Sequence, residues 1–497
     1  MKRKALIFLV LVAAAAQAQT LRIGSDERVL NPELPTPEWK NSNGGTATAE
    51  LRIVTGDAAA LRLNFGGLFL PEGAEMMLAS RNADGRVLAI HGPYTGSGPL
   101  NVPEFDSQLL AGSETIISVR AKATEVWPFT LQGIEQFTAE NLTGLDLPRA
   151  YTPVPARKHP IDFRSAYLGD TLVHFNVEDG LAIMEGDIVL GTADEVTGGP
   201  RNKNADRASF ALANTFNNSW SNGVIPYVVA YGGSLLSSDS LDRKITAAVN
   251  YWNSRFPGVL VKRTNQSDYV IIRFLAGVCQ SPVGRKGGIQ FIDIDNSCST
   301  GNIVHEIGHV LGLRHEHTRY DRNSFVKITA ANILPGKENN FAQPAAGDSI
   351  NIGAYDFGSI MHYPSNAFAV DPTKDTITPL MPLPAGVVMG QRNALSAGDE
   401  TGVRNRYCDG GGWGSPSDIS IDPDGETHTF AVTIPPYCSW QTTDTANWIT
   451  INSAVSGTGS TIVKFTATAN KTSSYRSAHI KVGGRDIYIF QPKFNNQ

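Results

Sequence analysis

Leu61-Arg62-Leu63-Asn64-Phe65 alternates apolar and polar side chains, the period of a half-buried β-strand. Thr115 to Ala121 and Phe129 to Phe137 are further strands, and Leu68 to Gly73 runs from a strand into a turn. From about Thr20 to Gln136 the chain therefore reads as all-β, with a β-sandwich as the expected fold. Pro148, Pro153, Pro155 and Pro160, with Arg157 and Lys158 among them, mark an extended, exposed linker. Asp179 to Gly191 reads as strand, turn, strand. Ser238 or Ser240 can cap a helix to about Arg255, in which Ile245, Ala248, Val249 and Trp252 fall at helical spacing. Tyr269 to Phe274 is an apolar-rich strand. Ile303, Val304, Ile307, Val310 and Leu311 give a second helix its buried faces, and Gly312 permits the left-handed residue that ends it. Asp409 to Pro416 is a Gly-rich linker. Beyond it, Val463, Phe465 and Ala467, then Ala478, Ile480 and Val482, alternate with polar neighbours as short strands.

Composition narrows the class. A chain of 497 residues with 41% hydrophobic content supports two to four folded domains. A net charge of −5 carries no signal for nucleic acid or for a polybasic membrane contact. Lys2, Arg3 and Lys4, the apolar run Ala5 to Ala16 and the small-residue site Ala16-Gln17-Ala18 read as a secretory signal. That run is too short to span a membrane, and no later run is long enough. The mature protein is expected to be secreted, extracellular or periplasmic, and soluble. Its four cysteines, Cys279, Cys298, Cys408 and Cys438, are then disulfide candidates.

The chemistry concentrates in His305-Glu306-Ile307-Gly308-His309, followed by Gly312 and His315-Glu316. On a helix, His305 and His309 stand one turn apart on one face and can share a Zn2+. Glu306 is rotated off that line, so it reaches a metal-bound water without ligating. The turn at Gly312 brings His315 back as third ligand, leaving an open, catalytic position.

These residues resemble the metzincin metallopeptidases, and Glu316 with the run to Arg322 narrows the resemblance to the astacin family. Ser359-Ile360-Met361-His362-Tyr363-Pro364 is similar to that group's Met-turn. Met184-Glu185-Gly186-Asp187 resembles the propeptide motif FxGD, with Met184 in place of Phe. Trp220 to Tyr227 resembles the opening of the catalytic domain. Cys279 to Gly288 resembles its C-x-S-x-V-G-R-x-G-G stretch. The resemblance covers roughly Phe216 to Cys408 plus the propeptide motif.

The resemblance implies a fold and a site. The catalytic domain is expected to be α+β and split by an active-site cleft. One Zn2+ is bound by His305, His309 and His315, Glu306 is the general base, Tyr363 stabilises the oxyanion, and Met361 forms an apolar floor. Glu316 is implied to bond, through water, to the new N-terminus of the activated enzyme. Asp187 is implied to ligate zinc in a latent precursor, and Thr197 to Arg207 suits the activating cut. The substrate is a protein or peptide bound in extended form. Cys279 and Cys298 sit where the family has a disulfide. The family's second disulfide ends at Cys408, but Asn250 to Arg263 lacks its partner, so Cys408 bonds Cys438 or neither is bonded. The final stretch, with Cys438-Ser439-Trp440, Trp448-Ile449 and Ile489-Phe490-Gln491, resembles BACON-like immunoglobulin-fold modules of bacterial secreted enzymes. It suggests a carbohydrate or surface ligand, although Trp440 and Trp448 read better as buried than as sugar platforms.

The expected order is a signal peptide (1–18), an N-terminal β-sandwich (20–147), linker and propeptide (148–210), catalytic domain (211–408), linker (409–417) and an immunoglobulin-like β-sandwich (418–497). The rival reading is an adhesion protein whose β modules flank an inactive peptidase scaffold. Intact His305, His309, His315, Glu306 and Tyr363 favour the enzyme.

Overall fold

The computed structural model describes residues 19–24, 28–41, 46–56, 58–138, 162–168, 171–178, 180–197, 219–230, 238–275, 277–344, 350–409 and 414–493. The expected signal peptide, the Pro-rich linker and the activating cut from Gly198 onward lie outside them. Among the described residues, no helix is long and apolar enough to cross a membrane.

The N-terminal region contains two sheets. The main path of one runs Gln19–Ile23, Ala47–Thr55, Glu114–Ala121, Glu75–Arg81, Val87–Tyr94. The other runs Arg28–Leu30, Thr130–Phe137, Ala60–Gly66, Phe105–Asp106. Leu51, Ile53, Leu78 and Ile117 from the first share a core with Leu61, Leu63, Phe65 and Ile134 from the second. The strand Ala60–Gly66 corrects the sequence reading, for it is buried on both faces rather than half-buried. Its polar residues Arg62 and Asn64 face covering elements instead of water. Asn64 donates to Asp106 at 2.7 Å, and Arg62 donates to the carbonyl of Asn296 in the central region.

A four-stranded antiparallel sheet follows, Asp162–Leu168, Thr171–Glu178, Leu181–Met184 and Ile188–Thr192. The last two strands were expected; the first two lie in the stretch read as linker and propeptide. The short helix α1 (Ala193–Thr197) closes the unit. Its core of Phe175, Met184, Ile188 and Leu190 is completed by Val283 of the central region.

The central region, the expected catalytic domain, has a five-stranded sheet in the order Leu260–Lys262, Ile225–Ala230, Tyr269–Phe274, Ile289–Ile294, Cys279–Gln280. The first four are parallel, and Cys279–Gln280 is an antiparallel edge. Two helices share a core with this sheet. Helix α2 (Ser238–Arg255) takes in both Ser238 and Ser240, the two expected caps. It contributes Ile245, Val249 and Trp252, and α3 (Thr300–Val310) contributes Ile303, Val304 and Ile307. Full burial of each Ile stabilises by roughly 1.5–3 kcal/mol. Trp252 also donates through Nε1 to the Val304 carbonyl at 3.0 Å, tying the two helices together. Past α3 the chain is mostly irregular until α4 (Ala397–Cys408), which Ser396 and Asp399 cap reciprocally.

The C-terminal region pairs a five-stranded with a three-stranded sheet. Trp440 is buried there and donates to the Gly459 carbonyl at 2.8 Å. Trp448 lies beneath the Arg476 guanidinium, 4.3 Å from its ring centre. Both disulfides, Cys279–Cys298 and Cys408–Cys438, are formed. The second joins the end of α4 to the C-terminal region.

Candidate metal centre

Helix α3 carries the site because its ends are fixed locally. Ser299 and Asn302 form a capping box at its start. Gly312, at φ +100°, reverses the chain after its end. A Cβ at Gly312 would lie 2.6 Å from the Arg406 guanidinium, the flexible end of a side chain that can swing aside, so it is the positive φ that calls for glycine. The reversal returns His315 to face the helix.

His305, His309 and His315 are all buried. Each ring is oriented through Nδ1, which donates to the Ile360 carbonyl at 2.8 Å, the Leu313 carbonyl at 2.8 Å and Glu185 Oε2 at 3.0 Å, respectively. That leaves three Nε2 atoms turned inward, with His305 and His315 Nε2 3.3 Å apart. One ligand atom from each His and from Asp187 lies within 4.8 Å of the others. His309 Nε2 and Asp187 Oδ1 have no hydrogen-bond partner. Converging lone pairs and an orphaned carboxylate oxygen in a dry pocket call for a cation, and three imidazoles with one carboxylate fit Zn2+.

Electrostatics agree with that fit. Burial opposes ionisation of Asp187, but His315 and His305 outweigh it and hold its carboxyl well below the usual range. Burial likewise opposes charge on His315, yet Asp187 and Glu185 push it up to about 10 in the metal-free protein. A bound dication would take the place of that proton. Burial lowers His309 to about 4, suiting a neutral ligand.

Glu306 lies one residue off the ligand line. Burial, reinforced by Asp187, pushes its carboxyl well up, and Ser281 Oγ donates to its Oε2 at 2.7 Å. Ser281 belongs to the edge stretch after Cys279–Gln280. Its N–H donates to the Asp187 carbonyl at 3.0 Å, and its own carbonyl accepts from Val189 N–H at 3.1 Å. The chain leaving the turn at Asp187 thus meets the sheet edge in one parallel bridge, between Ile188 and Ser281.

The remaining expected residues surround this centre. Met361 is buried under α3, where a Cβ on Gly308 would come 2.9 Å from its sulfur. Tyr363 stacks on His317 at 3.9 Å and meets His315 edge-on at 4.7 Å. Its hydroxyl donates to the Glu185 carbonyl. Glu316 accepts from Asp356 N–H at 2.8 Å, and burial pushes its carboxyl up to about 8.

The family model described as Astacin, a peptidase family, matches residues 212–408. High choriolytic enzyme 1 of Oryzias latipes is 37% identical over 232 residues, which cover 45% of this chain and 77% of that protein. The chain belongs to the astacin family. Tolloid-like protein 1 of Homo sapiens is 36% identical over 233 residues, 46% of this chain but only 22% of that protein. The chain thus spans about a fifth of the Tolloid-like proteins it matches. The solved structure of high choriolytic enzyme 1, a hatching enzyme zinc-protease from Oryzias latipes, covers 39% of this chain and 94% of that one, at 37% identity and a TM-score of 0.34. A second model, BACON (Putative binding domain, N-terminal), matches residues 439–491.

In this astacin-family chain the structure brings together His305, Glu306, His309, His315, Asp187, Met361 and Tyr363. Glu316 stands one layer out. The sequence reading passed over three participants. Glu185 orients His315 and carries no periodic signal of its own. Ser281, named only as part of a cleft motif, holds Glu306. Arg392 donates to the Ile360 carbonyl at 2.8 Å, the same atom that orients His305.

Proposed function

We propose that the chain is a secreted zinc-dependent endopeptidase of astacin type, made as a latent precursor, which hydrolyses internal peptide bonds of proteins. The observation that carries this reading is the convergence of three oriented Nε2 atoms on one point, with the Glu306 carboxylate beside it. When bound there, Zn2+ supplies a Lewis acid that polarises a carbonyl and acidifies water. Glu306 takes the proton of the attacking water and returns it to the leaving amine; its raised carboxyl suits both transfers. Ser281 Oγ holds Glu306 in place for them. Tyr363, once its hydroxyl is free of the Glu185 carbonyl, donates to the developing oxyanion. The backbone of Ser281 pairs with an extended substrate strand.

Asp187 fills the donor set and its segment fills the sheet edge, so the uncut chain is latent. Cutting in the stretch from about Arg201 to Ala213 releases it, and the new N-terminus turns toward Glu316. The flanking regions act as an N-terminal β-sandwich (20–147) and an immunoglobulin-like BACON module (418–497), which takes a carbohydrate or surface ligand. Export through a signal peptide at 1–18 places the enzyme outside the cell or in the periplasm. Zinc analysis of the purified chain, with a casein-cleavage assay before and after the cut, tests the reading. A zinc-free chain that never cleaves would favour the adhesion alternative.

A further inference from the structure

The N-terminal region is built into the peptidase. Lys244 of α2 lies 2.8 Å from Asp106 and donates to the Asn296 carbonyl at 3.0 Å. Arg62, fully buried, donates to the same carbonyl, and Asn64 completes Asp106. Asn296 sits in the turn between the strand Ile289–Ile294 and the cap of α3, so the contact braces the entry to the metal-binding helix. Leu100 adds a backbone bond to Asn393 and joins the peptidase core. Charges this dry are held only by complementary partners on both sides.

Beside this contact lies a groove of about 760 Å³. Arg86, Ala89 and His91 line it from the N-terminal side, and Cys279, Pro364 and Arg392 from the peptidase. Cys279 opens the edge stretch whose Ser281 already pairs with an extended chain, and Pro364 follows Tyr363. Arg86 immediately precedes, and Ala89 and His91 belong to, Val87–Tyr94, the last strand on its own sheet path. Two sheet edges therefore face one trough, whose peptidase side includes Pro364, next in sequence to Tyr363, and Cys279, two positions before Ser281.

We infer that the N-terminal module is a wall of the substrate groove and stays docked on the peptidase after the chain is cut ahead of Trp220. The occupant is an extended segment of the protein substrate on the Cys279 side of the scissile bond. This rests on the peptidase reading. Both disulfides lie on the peptidase side of the cut, so the buried contacts alone retain the module.

The test uses the full chain with engineered protease sites within 142–158 and 201–213, so that both cuts remove the pro-segment. The module should co-elute with the peptidase on size exclusion. Ala89→Trp, which fills the groove, should raise KM several-fold for long polypeptide substrates and leave short peptides unchanged. Arg86→Glu, at an exposed position, repeats the comparison if the Trp variant fails to fold. A module that elutes apart, or variants that change long and short substrates alike or neither, would overturn the inference while leaving the peptidase reading intact. A doubly cut parent that binds its module yet cleaves no substrate would overturn the peptidase reading, and this inference with it.

Discussion

Asp187 Oδ2 lies 3.2 Å from His315 Nε2, although 128 positions separate the two residues. The Asp187 carboxylate thus stands within the donor set that the three histidines present. Asp187→Ala should raise basal peptidase activity of the uncut chain and speed its self-processing. Progress curves of the zinc-loaded variant against the parent check this; a variant as silent as the parent would rule out the latch.

Glu185 reaches the other face of the same ring. It accepts from His315 Nδ1 and from Arg314 at 2.9 Å. Loss of such an orienting partner typically costs about 10–100-fold in metal affinity. Glu185→Ala should lower zinc affinity of the uncut chain by that order, read by competition with a chelator. In a chain cut ahead of Trp220, from which the proposed latch would release Glu185, no comparable difference is expected.

The zinc helix was legible because its chemistry is local: two histidines one turn apart, and a glycine that only a reversal needs. The Met-turn and the edge stretch were legible as motifs, and Asp187 through its Gly-Asp signature. Glu185 was not, since its role depends on a chain reversal that brings residue 185 beside residue 315. Arg62 and Asn64 misled for a related reason. Alternation reports which side chains leave their own core, and here the other face is covered by α2 and the Asn296 turn rather than by water. The strands Asp162–Leu168 and Thr171–Glu178 were hidden by the prolines just before them.

Gly312 sits at φ +100° against Arg406. Gly312→Ala should cost about 1–3 kcal/mol from backbone strain. It should also displace His315, so zinc content falls together with the thermal midpoint. A variant with parental stability and full zinc would show that the turn does not need glycine.

The Cys408–Cys438 bond closes a sequence separation of 30 residues. Beside it, Tyr437 donates to the Gly223 carbonyl at 3.0 Å, so the C-terminal module rests on the opening of the peptidase region. Replacing both cysteines by Ser should destabilise by roughly 2–4 kcal/mol. Limited proteolysis should then cut residues 409–417 faster, while casein cleavage persists. Loss of activity with an intact linker would contradict this.

The most direct measurement is the casein-cleavage rate of cut, zinc-loaded Glu306→Gln against the parent. The substitution keeps size and removes the base, leaving the three imidazoles untouched. A fall of about 10²–10⁴-fold at equal zinc content is predicted. A rate near that of the parent would contradict the assignment of Glu306, and with it the proposed chemistry.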